Sequence, residues 1–533
     1  MVVLLAALPA APALAAPETS AGVQLVSSIP ERGVISARVV GQHLYVSSLS
    51  GVSVFDISSP RAPVRVGRLD LPNAQNEDVD VGSGIMLVSD DPFGGRGILH
   101  VIDVRDPANP RQLSTYSTWA RGLLDFSARP PRRGGIGHTA TCIQQCRYAW
   151  LAGSSAGIEI VDLRDPANPR RAGRFAAREA AGVIGTHDVQ VDGAGLAWVA
   201  GGNGTAAYDV TNPVRPRLVK RTDRRGSRGP LNNFIHHNSQ RLAPDVLAIT
   251  EEDFGNKCKG AGTLQTWRIG AGRALRPLDS FGVERDNSAR VACSAHYFDA
   301  SGGLIAQGFY EQGVRLIDAS NPRRLRQVGY YLSRPGLFWG ALFAPTDPTG
   351  STVYALDHSR GIDVLAIDRA ALKPVRRRGT PARGRAKPGF GLQVYDGWDA
   401  VRPGQRVRIV FGVGGASGRV TVRATLPPEL VAVRVPAGTS FDPATRTLRL
   451  TLSTARFGGF EVRARVARSA RRGASLEVIG FVSGPDDPMP LDDRGVDRNV
   501  VARRSARSVP RRARSSAARP ARGFCVLPYD YTF

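Results

Sequence analysis

The chain of 533 residues reads as all-β: a seven-bladed β-propeller, an Ig-like β-sandwich and a disordered basic tail, in that order. Three observations lead to this. An Asp-turn box recurs through the first two-thirds of the chain. Between the boxes stand short apolar runs with a period of two, the signature of half-buried strands. Ahead of each box lies a strand opening of one kind, so that a unit of roughly 40–60 residues returns, and four short strands in such a unit is the propeller pattern. A sandwich would leave the spacing of the box unexplained.

The stretch from Gly185 to Pro216, GTHDVQVDGAGLAWVAGGNGTAAYDVTNPVRP, shows the unit whole. Its runs are Val189–Val191, Leu196–Ala200 and Thr205–Val210, none long enough for an ordinary helix. The box reads FDISSPRAP from Phe55, IDVRDPANP from Ile102, VDLRDPANP from Val161 and YDVTNPVRP from Tyr208, with a weaker IDASNPRRL from Ile317. The gaps between Asp56, Asp103, Asp162, Asp209 and Asp318 are 47, 59, 47 and 109 residues. The last gap spans two units, because the stretch around Trp267 keeps the strand without the box. A final unit, GIDVLAID from Gly361 to Asp368, lacks the Pro pair. An Asp, Asn or Ser before Pro favours a turn, since Pro fixes φ and the polar side chain bonds nearby backbone N–H groups. The second Pro cannot donate to a ladder, so it belongs at a strand start or edge.

IEIVDLRDPANPRRAG and LHVIDVRDPANPRQLS resemble the LVIVD repeat of bacterial and archaeal surface proteins. The resemblance covers about Val34 to Asp368 and implies the propeller. It implies no particular chemistry.

Residues 1–22 form an apolar, Ala-rich N-terminal segment, MVVLLAALPAAPALAAPETS at its start. It is too short to span a bilayer and carries an A-x-A site at Ala13-Leu14-Ala15, so it reads as a secretory signal without the usual basic start. The five cysteines suit export. Cys142–Cys146 at a hairpin tip and Cys258–Cys293 are the expected disulfides, leaving Cys525 odd. Cys142 and Cys146 as half a zinc site is the weaker reading, because no second pair stands at zinc-ribbon spacing.

The net charge of +25 is unevenly spread. Arg369 to Phe390 carries eight basic residues and no acid, and Arg494 to Arg522 ten Arg against one Asp. Both stretches are poor in large apolar residues, so 369–390 reads as a linker and 486–533 as a disordered tail. Attraction to anionic cell-envelope polymers or a membrane surface is the partner such charge suggests. Nucleic acid is excluded, since no aromatic residues interleave with the charge. Between them, 391–485 alternates strictly in VRIVFGV, GRVTVRATLP, RTLRLTLS and FEVRARVA. Together with LPPEL, this resembles the Ig-like sandwich modules of bacterial surface proteins.

Of eight histidines, His138, His187, His237 and His296 each open a unit, with His236 beside one of them. Glu77 opens the second unit and Trp339 the last. Equivalent openings on successive blades form a ring at one mouth of the channel, so Glu77 and the four His are candidate ligands for a divalent transition metal, Zn, Cu or Fe. Asp188 and Asn238 are placed to orient ligands. Asp90, Asp91, Glu251, Glu252, Asp357 and His358 lie at ends of second strands, and Glu251 or Glu252 is the candidate general base. A metal-free polar channel is the competing reading. The leading expectation is an exported or cell-surface binding protein with an unidentified ligand at the channel mouth. The alternative is a metal-dependent hydrolase or oxidase.

Overall fold

The computed structural model describes residues 16–501 apart from 32, 72–77, 91–95, 122–137, 155–156, 182–184, 203, 223–234, 253–261, 284–292, 334–335, 376–389, 396–399, 416–417, 455–456, 473 and 485–493. The alternating runs pair antiparallel with their sequence neighbours into four-stranded blades, and the outer strands Arg217–Thr222 and Ala274–Phe281 of the fourth and fifth also pair in parallel, joining those two into one eight-stranded sheet. Blade one runs outwards as Val34–Val40, His43–Ser48, Gly51–Asp56 and Val64–Asp70. The inner strands of blades two to seven are Val79–Gly82, Ala140–Ile143, Thr186–Val191, Ile235–Ala243, Phe298–Ser301 and Phe338–Phe343. Each inner strand lies against the next, and blade seven returns to blade one, so the ring closes with seven blades.

Second strands are covered on both faces by neighbouring blades. Accordingly Ile85–Asp90, Val246–Glu252 and Thr352–Asp357 are buried along their whole length. The core is a set of wedges between blades. In one wedge Trp150 and Ile160 of blade three meet Val189 and Val199 of blade four.

The box Asp makes the same local bond in each copy. Asp56, Asp103, Asp162, Asp209 and Asp318 each accept the backbone N–H two residues on, at 2.7, 3.1, 3.0, 2.9 and 3.0 Å. The turn presents the carbonyl of its first Pro to the preceding blade. Ser114 donates to Pro166 O, Trp150 to Pro213 O, Thr266 to Pro322 O and Tyr354 to Pro60 O, at 2.6 to 3.1 Å. The repeated box thus ties one blade to the next.

Closure uses residues upstream of Val34, where the sequence reading begins the repeats. The closing strand is Val23–Ile29, paired antiparallel with Gly361–Ile367 from Val23 opposite Ile367 to Ile29 opposite Ile362. Blade seven supplies three strands of its own, and without a fourth the Gly361–Ile367 ladder would be an open edge. Val34–Val40 is already committed to blade one. Upstream again, Glu18–Thr19 adds to the outer strand of blade six. Residues 1–15 lie outside the described residues.

Cys142 and Cys146 are disulfide-bonded. The tip they bracket holds Gln144, Gln145 and Cys146 at φ 52°, 58° and 62°, a left-handed run that residues with a side chain seldom adopt. Cys293 is disulfide-bonded as well. Its expected partner Cys258, and Cys525, lie outside the described residues.

The second region is a β-sandwich. One sheet holds Phe390–Tyr395, Arg406–Gly415, Phe457–Val466 and Leu430–Arg434, and the other has six strands around Gly418–Thr425 and Ser475–Ser483. Their inner faces share Ile409, Phe411, Val422, Leu448, Val462 and Val478. The boundary at Pro485 needs correction, because Arg494–Val501 pairs with Ser475–Ser483, Val496 opposite Ile479. Its arginines made it read as tail, yet Val501 is fully buried. The linker also starts in contact with the propeller, as Arg369 donates to Ser301 O and Gly350 O at 3.0 and 3.1 Å. Among the described residues, no helix is long and apolar enough to cross a membrane.

Candidate metal centre in the channel mouth

The inner strands open on a recurring backbone irregularity. In blade four Thr186 pairs with Gly201 and Asp188 with Ala200, which leaves His187 as an extra residue. Blade one slips in the same way around Ile35, blade seven around Trp339, and blade five around His237 and Asn238. Blades three and six show the matching bonds. His138 N donates to Ala152 O while Ala152 N donates to Thr139 O, and His296 and Tyr297 relate to Gly308 likewise. A bulge of this kind re-aims the side chain of the inserted residue.

The re-aimed imidazoles converge. His138 Nε2 is 3.1 Å from His187 Nε2. Glu252, at the end of the second strand of blade five, brings Oε2 to 3.5 Å from His187 Nε2 and 4.0 Å from His237 Nε2. Its Oε1 is 3.7 Å from His296 Nε2. Four donors at about 2.1 Å from a tetrahedral ion lie about 3.4 Å from one another, and these separations bracket that value. Donor atoms of His187, His237 and Glu252 all fall within 4.8 Å of one another. His237 and His296 are fully buried and Glu252 is 1% exposed.

Two bonds fix orientation. His296 Nδ1 sits 2.6 Å from Trp339 O. A carbonyl only accepts, so Nδ1 carries the proton and Nε2 of the neutral ring keeps its lone pair for the centre. The Tyr310 hydroxyl donates to Glu252 Oε1, which leaves Oε2 toward His187 and His237. Tyr310 itself is held at φ 48°, a costly conformation that the surrounding structure must impose.

The other candidates separate clearly. Glu251 accepts Gly262 N and Thr263 Oγ1 at 3.2 and 3.4 Å. Of the pair, Glu252 belongs to the ligand group found among the described residues. His236 bonds Thr205 Oγ1 through Nδ1 at 2.9 Å. Glu77 and Asp91 lie outside the described residues. Asp90 Oδ2 is 3.9 Å from His100 Nε2, in blade two. His358 bonds Val34 O and stacks on Trp339. Asp357 accepts Leu337 N, Ser359 N and Ser333 Oγ at 2.9 to 3.0 Å. Its burial still pushes the carboxyl up to about 6.

Asp188 and Asn238, expected to orient the histidines, bond each other at 3.2 Å. With Gln190, which donates to both Asp188 and Asp78, they form a separate carboxylate layer. Burial pushes Asp188 up to about 6. Asp78 lies well above its usual range through burial and the Asp188 charge. Arg38, paired with Asp80 at 3.3 Å, is the counter-charge.

Sequence reasoning passed over Tyr310 and Tyr297. Tyr310 follows the second strand of blade six, the place Glu252 and His358 take on theirs, and that position was the available signal. Tyr297 sits 4.7 Å from the His237 ring, centroid to centroid. Ile35 and Trp339, the openings that are not polar, pack with Tyr310 into one apolar cluster. The opening residues are therefore imidazoles on blades three to six and apolar on blades seven and one, where the His358 imidazole stacks on Trp339.

Fold and site together define a closed β-propeller with a histidine-ringed channel mouth. No family model matches the chain, and no curated protein matches it. Among solved structures, the chain is similar to the β-propeller domain of Cps50 (Swd1) from Myceliophteria thermophila at 11% identity and a TM-score of 0.44, over 66% of this chain and 100% of that one. It is similar to the WD40 β-propeller domain of Doa1 at 9% and 0.41, over 66% and 99%. A putative 6-phosphogluconolactonase from Bacteroides fragilis matches at 11% and 0.43, over 64% and 93%.

Proposed function

We propose that this chain is a metal-dependent enzyme of the LVIVD-repeat kind, with a divalent transition metal held by His187, His237 and Glu252 at the channel mouth. The carrying observation is the convergence of three ligand atoms within 4.8 Å from blades four and five. Two imidazoles and a carboxylate suit Zn, Cu or Fe. A set of three protein donors leaves a coordination position open, as in catalytic rather than structural sites. A bound ion there would polarise a substrate oxygen or acidify a bound water. Around it, His138 and His296 are within reach as further ligands or as proton carriers, and Tyr310 holds the carboxylate. Hydrolase and oxidase chemistry both fit this donor set.

Burial favours a second reading, a binding protein whose ion is held and not turned over, because Glu252 and two of the imidazoles have almost no exposure. Export to the cell surface or medium is part of both readings. It draws support from the A-x-A site at Ala13-Leu14-Ala15 and from the Cys142–Cys146 disulfide, a bond that persists in oxidising compartments. An Ig-like identity for the sandwich belongs to the same proposal.

The test is elemental analysis of protein purified without a histidine tag, beside H187A and H237A. Near-stoichiometric metal in the wild type, lost in both folded variants, is the expected result. A wild type without metal, or variants that retain it, would overturn the proposal. Full coordination in an absorption spectrum, with no exchangeable water ligand, would favour the binding reading over the enzyme.

A further inference from the structure

The sandwich carries a second feature, on the outer face of its four-stranded sheet. Strand alternation sends Val407, Ile409, Val462 and Ala464 into the core, so Arg406, Arg408, Arg463 and Arg465 point outward. The register then sets like charges side by side. Arg406 is directly opposite Arg465, and Arg408 opposite Arg463. Arg434 on the third strand is opposite Arg463. Five guanidiniums thus occupy two adjacent rows. The acid among them is Glu461, which pairs with Arg408 and Arg463 at 2.7 Å each. Among the described residues, Arg406, Arg434 and Arg465 are in no ion pair, and Arg406 and Arg434 are exposed.

Directly opposed like charges destabilise a sheet. Exposed strands tolerate Thr or Gln at such places, so the arrangement costs stability without any gain in folding. A polyanion supplies the missing counter-charge. Along a strand the rows are about 7 Å apart, two residues at about 3.4 Å each. A flexible polymer with one charge per repeat can follow that interval. The guanidinium fork matches phosphate oxygens in bidentate fashion. Single-stranded nucleic acid is the less suitable occupant, because its binding sites stack bases on aromatic side chains. On the described strands, the residues that share these rows and border them are Val431, Val410, Glu461 and, on the edge strand opposite Val410, Tyr395, so one aromatic residue stands beside the arginine rows and none within them. Phe460 stacks on Phe411 at 4.7 Å and packs against the core.

We infer that this arginine face docks a base-free phosphodiester polymer, of the polyol-phosphate type. The probe is poly(glycerol phosphate), titrated against the full chain over a range of salt concentrations. The comparison is R406S/R434S/R465S, made both in the native chain and in a chain whose arginines from 503 to 522 are Ser. Three lost phosphate contacts should reduce the slope of log affinity against log salt by about two, at roughly 0.7 per contact. The loss should appear in both backgrounds. The melting temperature should hold or rise, since opposed charges are relieved, so weakened binding would not reflect unfolding. Two results would overturn the inference. One is an unchanged slope in the triple variant, which would assign binding to linker and tail. The other is a single-stranded oligonucleotide of equal charge that binds more tightly and is lost with the same three arginines.

Discussion

The outer turns and the inner openings of the propeller are both repeated, and they repeat differently. At the outer turns, one residue type recurs with one local bond. The box Asp accepts the N–H two residues on in five blades, and a Pro carbonyl accepts from the preceding blade in four places. At the inner openings the backbone bulge recurs while the side chains vary: Ile35, His138, His187, His237, His296 and Trp339. The outer bonds are each complete within a pair of blades. The inner side chains meet on one another and on Glu252. Repetition that is satisfied locally is the fold; repetition that converges is the site.

Trp150→Ala would strain that contrast most. Trp150 is fully buried between blades and donates to Pro213 O. Its truncation should cost about 4 kcal/mol in a denaturant titration, while His187→Ala should cost less than about 1 kcal/mol. Equal losses would mean that the ring histidines carry the fold as the blade wedges do.

Asp357→Asn tests the channel electrostatics. The folded carboxyl sits at about 6, above its ordinary 3.8. A raised folded value means that the contribution to stability is full below the unfolded pKa and is lost as pH rises through about 6. The amide can still accept two N–H groups through Oδ1 and can donate to Ser333. The variant should therefore match wild type near pH 4 and exceed it by about 2–3 kcal/mol near pH 7.5, at about 1.4 kcal/mol per pKa unit. A gain that does not change with pH would remove the burial argument.

Glu252→Gln, followed by Tyr310→Phe, sharpens the inner side. Loss of the anionic ligand should weaken metal binding on the order of hundredfold. Loss of the hydroxyl that holds it should cost about tenfold, in the range of outer-shell substitutions. Competition with a chromogenic chelator measures both. If Tyr310→Phe binds as wild type, the phenol is packing only.

The smallest effect belongs to the outer side. Tyr354→Phe removes the hydroxyl that donates to Pro60 O at 2.8 Å, worth about 1 kcal/mol. A thermal melt at constant pH is sufficient to see it. No change would show that the box carbonyls are satisfied without their neighbours.

Most of the ring was legible because its signals are local. Period two and the box each lie within about ten residues, so they can be read along the chain. The closing strand was not legible. VQLVSSI alternates well, but its partner lies at the far end of the propeller, and nothing in either segment names the other. Glu251 and Glu252 were equally eligible, since a period of two says that one faces the channel without saying which. The bulge at His237 shifts the phase on the neighbouring strand. In Arg494–Val501 the charge of RGVDRNVV outweighed its apolar Val496 and Val501, and composition misassigned a strand to the tail.

The closing strand also sets a clock on biosynthesis. Ser28 and Asp363, bonded across it, are 335 residues apart in sequence. At roughly 5–20 residues per second, a ribosome needs about 20 to 70 seconds to make the partner after the first strand has emerged. Throughout that interval Val23–Ile29 has no ladder to join, and the first blade and the latest one each keep a face uncovered. A cell that makes this protein must shield half-built rings for the better part of a minute. Truncation anywhere before Gly361 then yields an open chain of blades, prone to pair edge to edge, in place of a smaller ring.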